Sequence, residues 1–362
     1  MQELALNYEG SDFLVQSDDP ADLAWLQTFL GPAFQTGNAS TPRRFTLKSD
    51  AAFLAKARCL DSSSAARLAA FVLDSGVEEL PCTEDGNGIT AYDTFFDVAY
   101  RRAESTELFD DWTAGPGRRA RGALMRVIRE RAMDHAWRSG ASILHGASFT
   151  VGGRAVLVAG DKEAGKTSLL CAALMAASET QMLSNDRLLL RLGAAGLHAC
   201  ALPSIVSVRF GSTKVVPQLS DALSNLSANY LGAATTTGDE PSRWILSPPQ
   251  LAAALGSSLR READVACCVL PCIDAEENAF RLRELEGEER AHRIAGCAFA
   301  KDCLGRHSQL FGDQDGTPFP GTGELRERLL KAFDGIRCHE LRMGPDLYQP
   351  EQMRHLIGQL LS

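Results

Sequence analysis

The chain has 362 residues, 45% hydrophobic and 23% charged, with a net charge of −9. The length exceeds what one compact core usually needs, so two domains, or one with a large extension, are expected of a soluble globular protein. The negative charge argues against a general nucleic-acid binder, whose basic surface must displace counterions from phosphates, but a single nucleotide needs only a few local cations.

In chain order, the N-terminal MQELALNYEGSDFL lacks the basic segment and apolar core of a signal peptide. No stretch approaches the roughly 20 apolar residues of a membrane span, so a cytoplasmic protein with no membrane partner is expected. Residues 19–34, DPADLAWLQTFLGPAF, predict a helix. Asp19 is its cap, Pro20 its first residue, and Leu23, Leu26 and Leu30 lie on one face. SAARLAAFVLDSG at 64–76 has a second, short helical pattern, and YDTFFDVAYRRAESTELF at 92–109 alternates like a strand or hairpin. A turn is expected at 113–119, TAGPGRR. The strongest helical pattern spans 118–138, with Leu124, Val127, Ile128 and Ala132 on an apolar face. Arg126 and Arg129 fall on the other face and are expected to be solvated.

From about 140 onward strands and helices mix. GASILHGASFTVGGRAVLVAG predicts two strands joined by a Gly-Gly turn. LHACALPSIVSVRF, ADVACCVLPCI and NAFRLRELEG read as strands. SDALSNLSANYLG, ERAHRIAGCAFAKDCLG, GELRERLLKAF and the closing YQPEQMRHLIGQLL read as helices. GAATTTGDEPSR at 232–243 is a polar connection and a candidate mobile loop. Of ten cysteines only Cys267, Cys268 and Cys272 cluster, inside an apolar run, so buried free thiols in a reducing compartment are expected.

Residues 160–167, GDKEAGKT, fit the phosphate-loop pattern G-x-x-x-x-G-K-[ST], with RAVLVA before them and TSLLCAALMAA after. Gly160, Asp161, Lys162, Glu163, Ala164 and Gly165 would curl so that backbone N–H groups point at a β-phosphate. Lys166 adds a point charge between phosphates, the Thr167 hydroxyl is a Mg²⁺ ligand candidate, and the helix continuing through Ser168 presents its positive end. This predicts binding of a nucleotide with Mg²⁺. It does not say where the γ-phosphate goes.

The order LHGASFTVGGRAVLVAGDKEAGKTSLL…LSNDRLLL resembles the HPr kinase/phosphorylase family, whose core is shared with ATP-dependent phosphoenolpyruvate carboxykinases. In that family a His-Gly pair precedes a hairpin, the hairpin enters the phosphate loop, and an Asp-Asp pair follows the loop's helix. His145–Gly146, Gly160–Thr167 and Asn185–Asp186 hold those places. The resemblance implies an α/β fold: a P-loop kinase core of mixed sheet flanked by helices over 136–362, with an N-terminal α/β extension over 1–135 for acceptor binding or assembly. It implies ATP and Mg²⁺ as cofactors, with Lys166, His145 and Asp186 catalytic, Thr167 and Asp186 on the metal, and Arg209 as a phosphate contact. The acceptor would be a hydroxyl on a peptide, a small protein or a metabolite, and a homo-oligomer is the expected assembly. Asn185 and Ser207 depart from the family's acids, which puts phosphorylase activity in doubt and admits a rival, a nucleotide-binding regulator or scaffold with a degenerate site. On its own, Asp186 is also readable as a turn residue and His145 as a structural one. Asp274 imitates the second metal-binding acid of ordinary P-loop ATPases, but the resemblance already supplies an acid at Asp186. A GTPase should show N-K-x-D, which does not occur.

Overall fold

The computed structural model describes residues 1–37, 43–60, 66–73, 76–86, 88–103, 110–114, 117–194, 196–224, 226, 243–299, 310 and 320–362. The polar connection at 232–243 (Arg243 excepted), the centre of the expected turn at 113–119, residues 227–232 of the pattern ending at 232, and Cys303 lie outside them. The fold is mixed α/β, and it divides into two compact units. The first holds residues 1–139 with Leu310, Pro320 and Gly321; the second holds the described residues of 140–299 and 322–362.

The first unit is built on one nine-stranded sheet. In chain order its elements are β1 (Gln2–Tyr8), β2 (Ser11–Ser17), α1 (Pro20–Leu30), β3 (Gln35–Thr36), β4 (Arg43–Lys48), α2 (Ala51–Arg58), β5 (Ala66–Leu73), β6 (Gly76–Asp85), β7 (Gly88–Asp93), β8 (Val98–Ala103), β9 (Asp110–Ala114) and α3 (Gly117–Arg138). The sheet order is β3-β1-β2-β4-β9-β8-β7-β6-β5. The helix expected after Asp19 forms as α1, where the Asp19 carboxylate accepts from the Ala21 N–H and Leu23, Leu26 and Leu30 are buried. The alternation after Tyr92 becomes the β7–β8 hairpin, while 104–109 lie outside the described residues.

Two expectations fail here, both because the sheet overrides local pattern. The helical reading of 64–76 is wrong: Ala66–Leu73 is a strand paired antiparallel to β6. Its run Ala69–Ala70–Phe71 is fully buried, and such a short apolar run does not distinguish helix from strand by periodicity. The solvated arginine face of α3 is also wrong. Arg129 and Arg131 are buried and Arg126 is half-buried. Carboxylates meet several of these charges: Arg126 bonds Glu78 and lies 3.7 Å over the Phe71 ring, Arg129 donates to Glu130, and Arg138 donates to Asp134. A guanidinium stacked on an aromatic face and held by a carboxylate tolerates burial that a lysine would not.

The second unit contains β10 (Ser142–Val151), β11 (Arg154–Ala159), α4 (Lys166–Ala176), β12 (Thr180–Ser184), β13 (Arg187–Gly193), β14 (Gly196–Leu202), β15 (Val206–Arg209), α5 (Phe210–Val215), α6 (Pro217–Leu223), β16 (Arg243–Leu246), α7 (Pro248–Ala254), β17 (Glu262–Ile273), β18 (Phe280–Glu284), α8 (Gly287–Gly296), α9 (Thr322–Ala332), β19 (Arg337–Met343) and α10 (Pro350–Leu361). β10 pairs β11 on one side and β12 then β13 on the other; β13 pairs β14, and β14 pairs the start of β17. β17 also runs parallel to β11, which closes the strands into a ring, and β19 and β18 extend it outward. The expected strand LHACALPSIVSVRF is broken after Leu202: β14 stays in the main sheet and β15 pairs β16 in a separate ribbon. Pro203 cannot donate to a ladder, which explains the break. Cys267 and Cys268 are buried in β17 as expected, but Cys272 near its end is exposed.

α4 is buried along nearly its whole length. Leu169, Leu170, Cys171, Ala173 and Leu174 pack with Met353, Leu356, Ile357 and Leu360 of α10 and with Val156, Val158, Cys267 and Val269 of the parallel strands beneath. At roughly 1.5–3 kcal/mol per fully buried large aliphatic side chain, this core fixes the helix that begins at Lys166. Arg354 of α10 donates to the Ala176 carbonyl at 3.0 Å, satisfying an orphan acceptor at the negative end of α4.

Among the described residues no helix is long and apolar enough to cross a membrane.

Candidate functional site

The site grows from the β10–β11 hairpin. Gly152 and Gly153 join the strands at φ 57° and 81°, the two positive values that a type I′ turn requires. The register that follows pairs Gly146 with Ala159, so His145 comes level with the first residue of the loop, Gly160.

Residues 160–165 then run from β11 into α4 with three positive φ values: Gly160 at 143°, Glu163 at 68° and Gly165 at 95°. Glu163 is one of few non-glycine residues in that region, a strain that the surroundings must hold in place. Positive-φ residues of this kind can turn neighbouring N–H groups to one side, the kind of backbone concavity that takes an anion. Gly165 is the N-cap of α4, and no side chain caps that helix end. Its first N–H groups and its positive dipole end therefore face outward with no side chain of α4 in their way. The Lys166 ammonium donates to the Gly160 and Asp161 carbonyls, both at 2.7 Å, and so spans the mouth of the loop. Asp161, Lys162 and Glu163 are exposed, Ala164 and Thr167 half-buried, and Ser168 buried in the first turn.

At Gly165 the left-handed φ of 95° is the constraint, since a Cβ there would meet only the mobile end of Met343, 2.6 Å from Cε. Gly165→Ala is expected to lower stability by about 1–2 kcal/mol. A denaturant midpoint equal to that of the unaltered chain would contradict this.

Arg209, at the end of β15, reaches the loop through Glu163, with Nη1 2.6 Å from Oε1. The guanidinium holds the Glu163 carboxyl below its usual range. Both side chains are largely exposed, so the pair contributes little to stability. Ser207, where the resembled family has an acid, is exposed two residues earlier.

Asp186 arrives from the opposite side of β10. Ser148 pairs with Ser184 and His145 with Arg187, so one register carries through the break between β12 and β13 and sets Asp186 against Gly146. The Gly146 N–H donates to the Asp186 carbonyl at 2.9 Å. Asp186, Gly146 and Ala159 thus stand in a row across three strands, about 10 Å from end to end at the usual strand spacing. Gly146 is obligatory in that row, since a Cβ would lie 2.7 Å from the Val158 carbonyl oxygen.

The Asp186 carboxylate has His145 Nε2 3.6 Å from Oδ1 and Arg187 Nε 3.4 Å from Oδ2. Arg187 is itself set by stacking over Phe299 at 4.3 Å. His145 is fixed by its backbone, whose N–H donates to the Cys297 carbonyl at 3.0 Å. Burial pushes the Cys297 thiol up to about 11, with Asp161 raising it and Lys166 lowering it, so this segment borders the loop with a neutral sulfur.

His145 lies in β10, Asp186 in the break between the paired β12 and β13, and Lys166 at the start of α4 after β11, while Arg209 joins the loop from β15. Arg187 and the 297–299 segment went unnoticed in the sequence. For Arg187 the signal was its place directly after Asp186; for 297–299 none existed, because only the pairing with β10 brings it there. Asn185 turns the other way, its amide donating to the Ile205 carbonyl at 3.2 Å. Asp274 follows β17, the parallel neighbour of β11, but both its oxygens are engaged. One accepts from the Glu276 N–H and the other pairs with Arg342 at 3.3 Å, an Asx turn rather than a metal ligand.

No family model matches the chain, and no curated protein matches it. Among solved structures, the HPr(Ser) kinase/phosphatase from Coxiella burnetii is similar over 61% of this chain and 99% of that one, at 10% identity and a TM-score of 0.28. A likeness that distant transfers neither fold detail nor activity, and function has to be argued from the residues themselves.

Proposed function

We infer that the chain is an ATP-dependent kinase that moves the γ-phosphoryl group to a hydroxyl, with a peptide, a small protein or a small metabolite as acceptor. One observation carries the reading: an uncapped helix start behind a strained loop, with Lys166 across its mouth and Asp186 two strands from β11 in the row that Gly146 completes. Phosphoryl transfer asks for positioning and charge neutralisation more than covalent help, and these are what such an arrangement offers. The loop amides and Lys166 would hold the β- and γ-phosphates, with Arg209 nearby once Glu163 releases it. Mg²⁺ would be held by Thr167 and Asp186, neutralising charge on the transferred group, which suits an ion content with few protein ligands. In the transfer, the bond from the γ-phosphorus to the ADP oxygen breaks as one to the acceptor oxygen forms. The hydroxyl proton passes to the Asp186 carboxylate, and His145 holds that carboxylate in place.

Asn185 supports a second reading. Its amide is spent on a backbone carbonyl, so a single carboxylate remains where the resembled family has two. A nucleotide-binding regulator or scaffold would tolerate that loss. Single-turnover incubation with Mg-ATP labelled in the γ-phosphate separates the two: label appearing on a hydroxyl of a candidate acceptor supports the kinase, and tight binding with label retained in ATP across the acceptor classes supports the regulator.

His145→Ala is expected to leave nucleotide affinity within a few-fold and to slow transfer by about tenfold or more through the loosened Asp186. A variant that only melts earlier, with unchanged specific activity, would make His145 structural.

A further inference from the structure

Away from the phosphate loop, β14 and β17 meet along a short seam: His198 pairs with Asp264, Ala199 with Ala263 and Cys200 with Glu262. Residues two apart on a strand share a face, and directly paired residues share it too. His198, Cys200, Glu262 and Asp264 therefore project together from one side of the seam. One ligand atom from each of His198, Cys200 and Glu262 lies within 4.8 Å of the others.

The imidazole is flanked by acceptors. Nδ1 is 3.0 Å from Asp264 Oδ1, while Nε2 faces Glu262 Oε2 at 3.7 Å, with Cys200 beside them. In the tautomer that donates from Nδ1 to Asp264, the lone pair of Nε2 turns toward a carboxylate, and a bound cation between them would relieve that repulsion. A tetrahedral ion with ligands at about 2.0–2.3 Å spaces its donors roughly 3.3–3.8 Å apart, which matches the Nε2–Oε2 separation. A carboxylate on the far ring nitrogen is the usual support for a metal-bound histidine.

We propose that His198, Cys200 and Glu262 bind a divalent ion of the zinc class, with Asp264 orienting the imidazole. The mixed nitrogen, sulfur and oxygen set suits zinc or cobalt, and disfavours magnesium and calcium, which take oxygen. Thiolate and two carboxylates bring three negative charges. The metal neutralises two of them, and Arg261, 3.6 Å from Glu262 Oε2, offsets the third. The ion would tie β14 to β17 where the strand ring has its short closing seam. It is independent of the kinase reading, because no group of the phosphate loop takes part.

The test uses the full chain after chelator treatment, titrated with zinc by calorimetry and with cobalt by absorption spectroscopy. One zinc per chain is expected, with a raised melting temperature and a thiolate-to-cobalt charge-transfer band. Cys200→Ser, nearly isosteric, should remove that band and keep a native circular dichroism spectrum. Asp264→Asn, at an exposed position, should weaken zinc about 10–100-fold. Lys166→Ala should change none of this. The proposal is overturned by a chain that takes up no zinc at micromolar concentrations, by a cobalt complex without sulfur ligation, or by a band that survives Cys200→Ser. Full zinc affinity in Asp264→Asn together with His198→Asn would overturn it equally.

Discussion

Lys166→Ala is expected to abolish tight binding of Mg-ATP. The ammonium spans the Gly160 and Asp161 carbonyls at the start of α4, whereas the Lys162 side chain of the loop is exposed. Removing one partner of a desolvated charge pair typically costs about 2–5 kcal/mol, or roughly 30-fold to several thousand-fold in affinity. The helix dipole and the loop amides remain, so a weak residual affinity should persist at low salt. Nucleotide at about 100 times its dissociation constant stabilises the folded form by about 2.7 kcal/mol, a rise of roughly 5–10 °C for a unit of this size. The unaltered chain should show that rise and the variant should not, while both melt similarly without nucleotide. Calorimetry that finds Mg-ATP bound as tightly by Lys166→Ala would remove the loop from any account of function.

The loop was legible because everything it needs is contiguous: strand, glycines, lysine, hydroxyl and helix follow within some twenty residues. The β10–β11 turn was legible for the same reason, since two glycines in succession admit few backbone solutions. What the sequence hides is register. That Gly146 lies between Asp186 and Ala159, so that an acid beyond the helix α4 joins the row at the end of β11, follows from the pairing of β10 with three neighbours. The same holds for the seam, where His198 and Cys200 show the two-residue spacing of a shared face but Glu262 joins them only through β17. α3 was misread for a different reason. Its arginines imitate a solvated face, and only the nine-stranded sheet supplies Phe71 and Glu78 to make Arg126 a half-buried residue. Residues 64–76 failed because alanine-rich apolar runs carry no period, and the partner strand β6 decides between helix and strand.

Asp186→Asn should leave the shape of the site intact and lower transfer about 10²–10⁴-fold, the usual worth of general-base assistance. The substitution keeps the backbone carbonyl that Gly146 uses and the volume between His145 and Arg187. It removes the proton acceptor and one Mg²⁺ ligand, so the metal requirement should rise as well. ATP affinity should fall less than transfer, because Lys166 and the loop amides are untouched. Asn185→Asp is the complementary change. The Asn185 side chain points to the Ile205 carbonyl, so the change breaks that bond, at a cost of about 1 kcal/mol in stability, and the new carboxylate must swing round to meet the first. Two adjacent carboxylates either share a metal, which tightens Mg²⁺ binding, or repel, which raises one pKa and moves the activity profile toward higher pH. In the double variant the acid stands at 185 alone, and recovery of transfer there would show that either position can serve as base. Full transfer by Asp186→Asn to a validated acceptor would mean that the base lies elsewhere, and that Asp186 is a turn residue between β12 and β13.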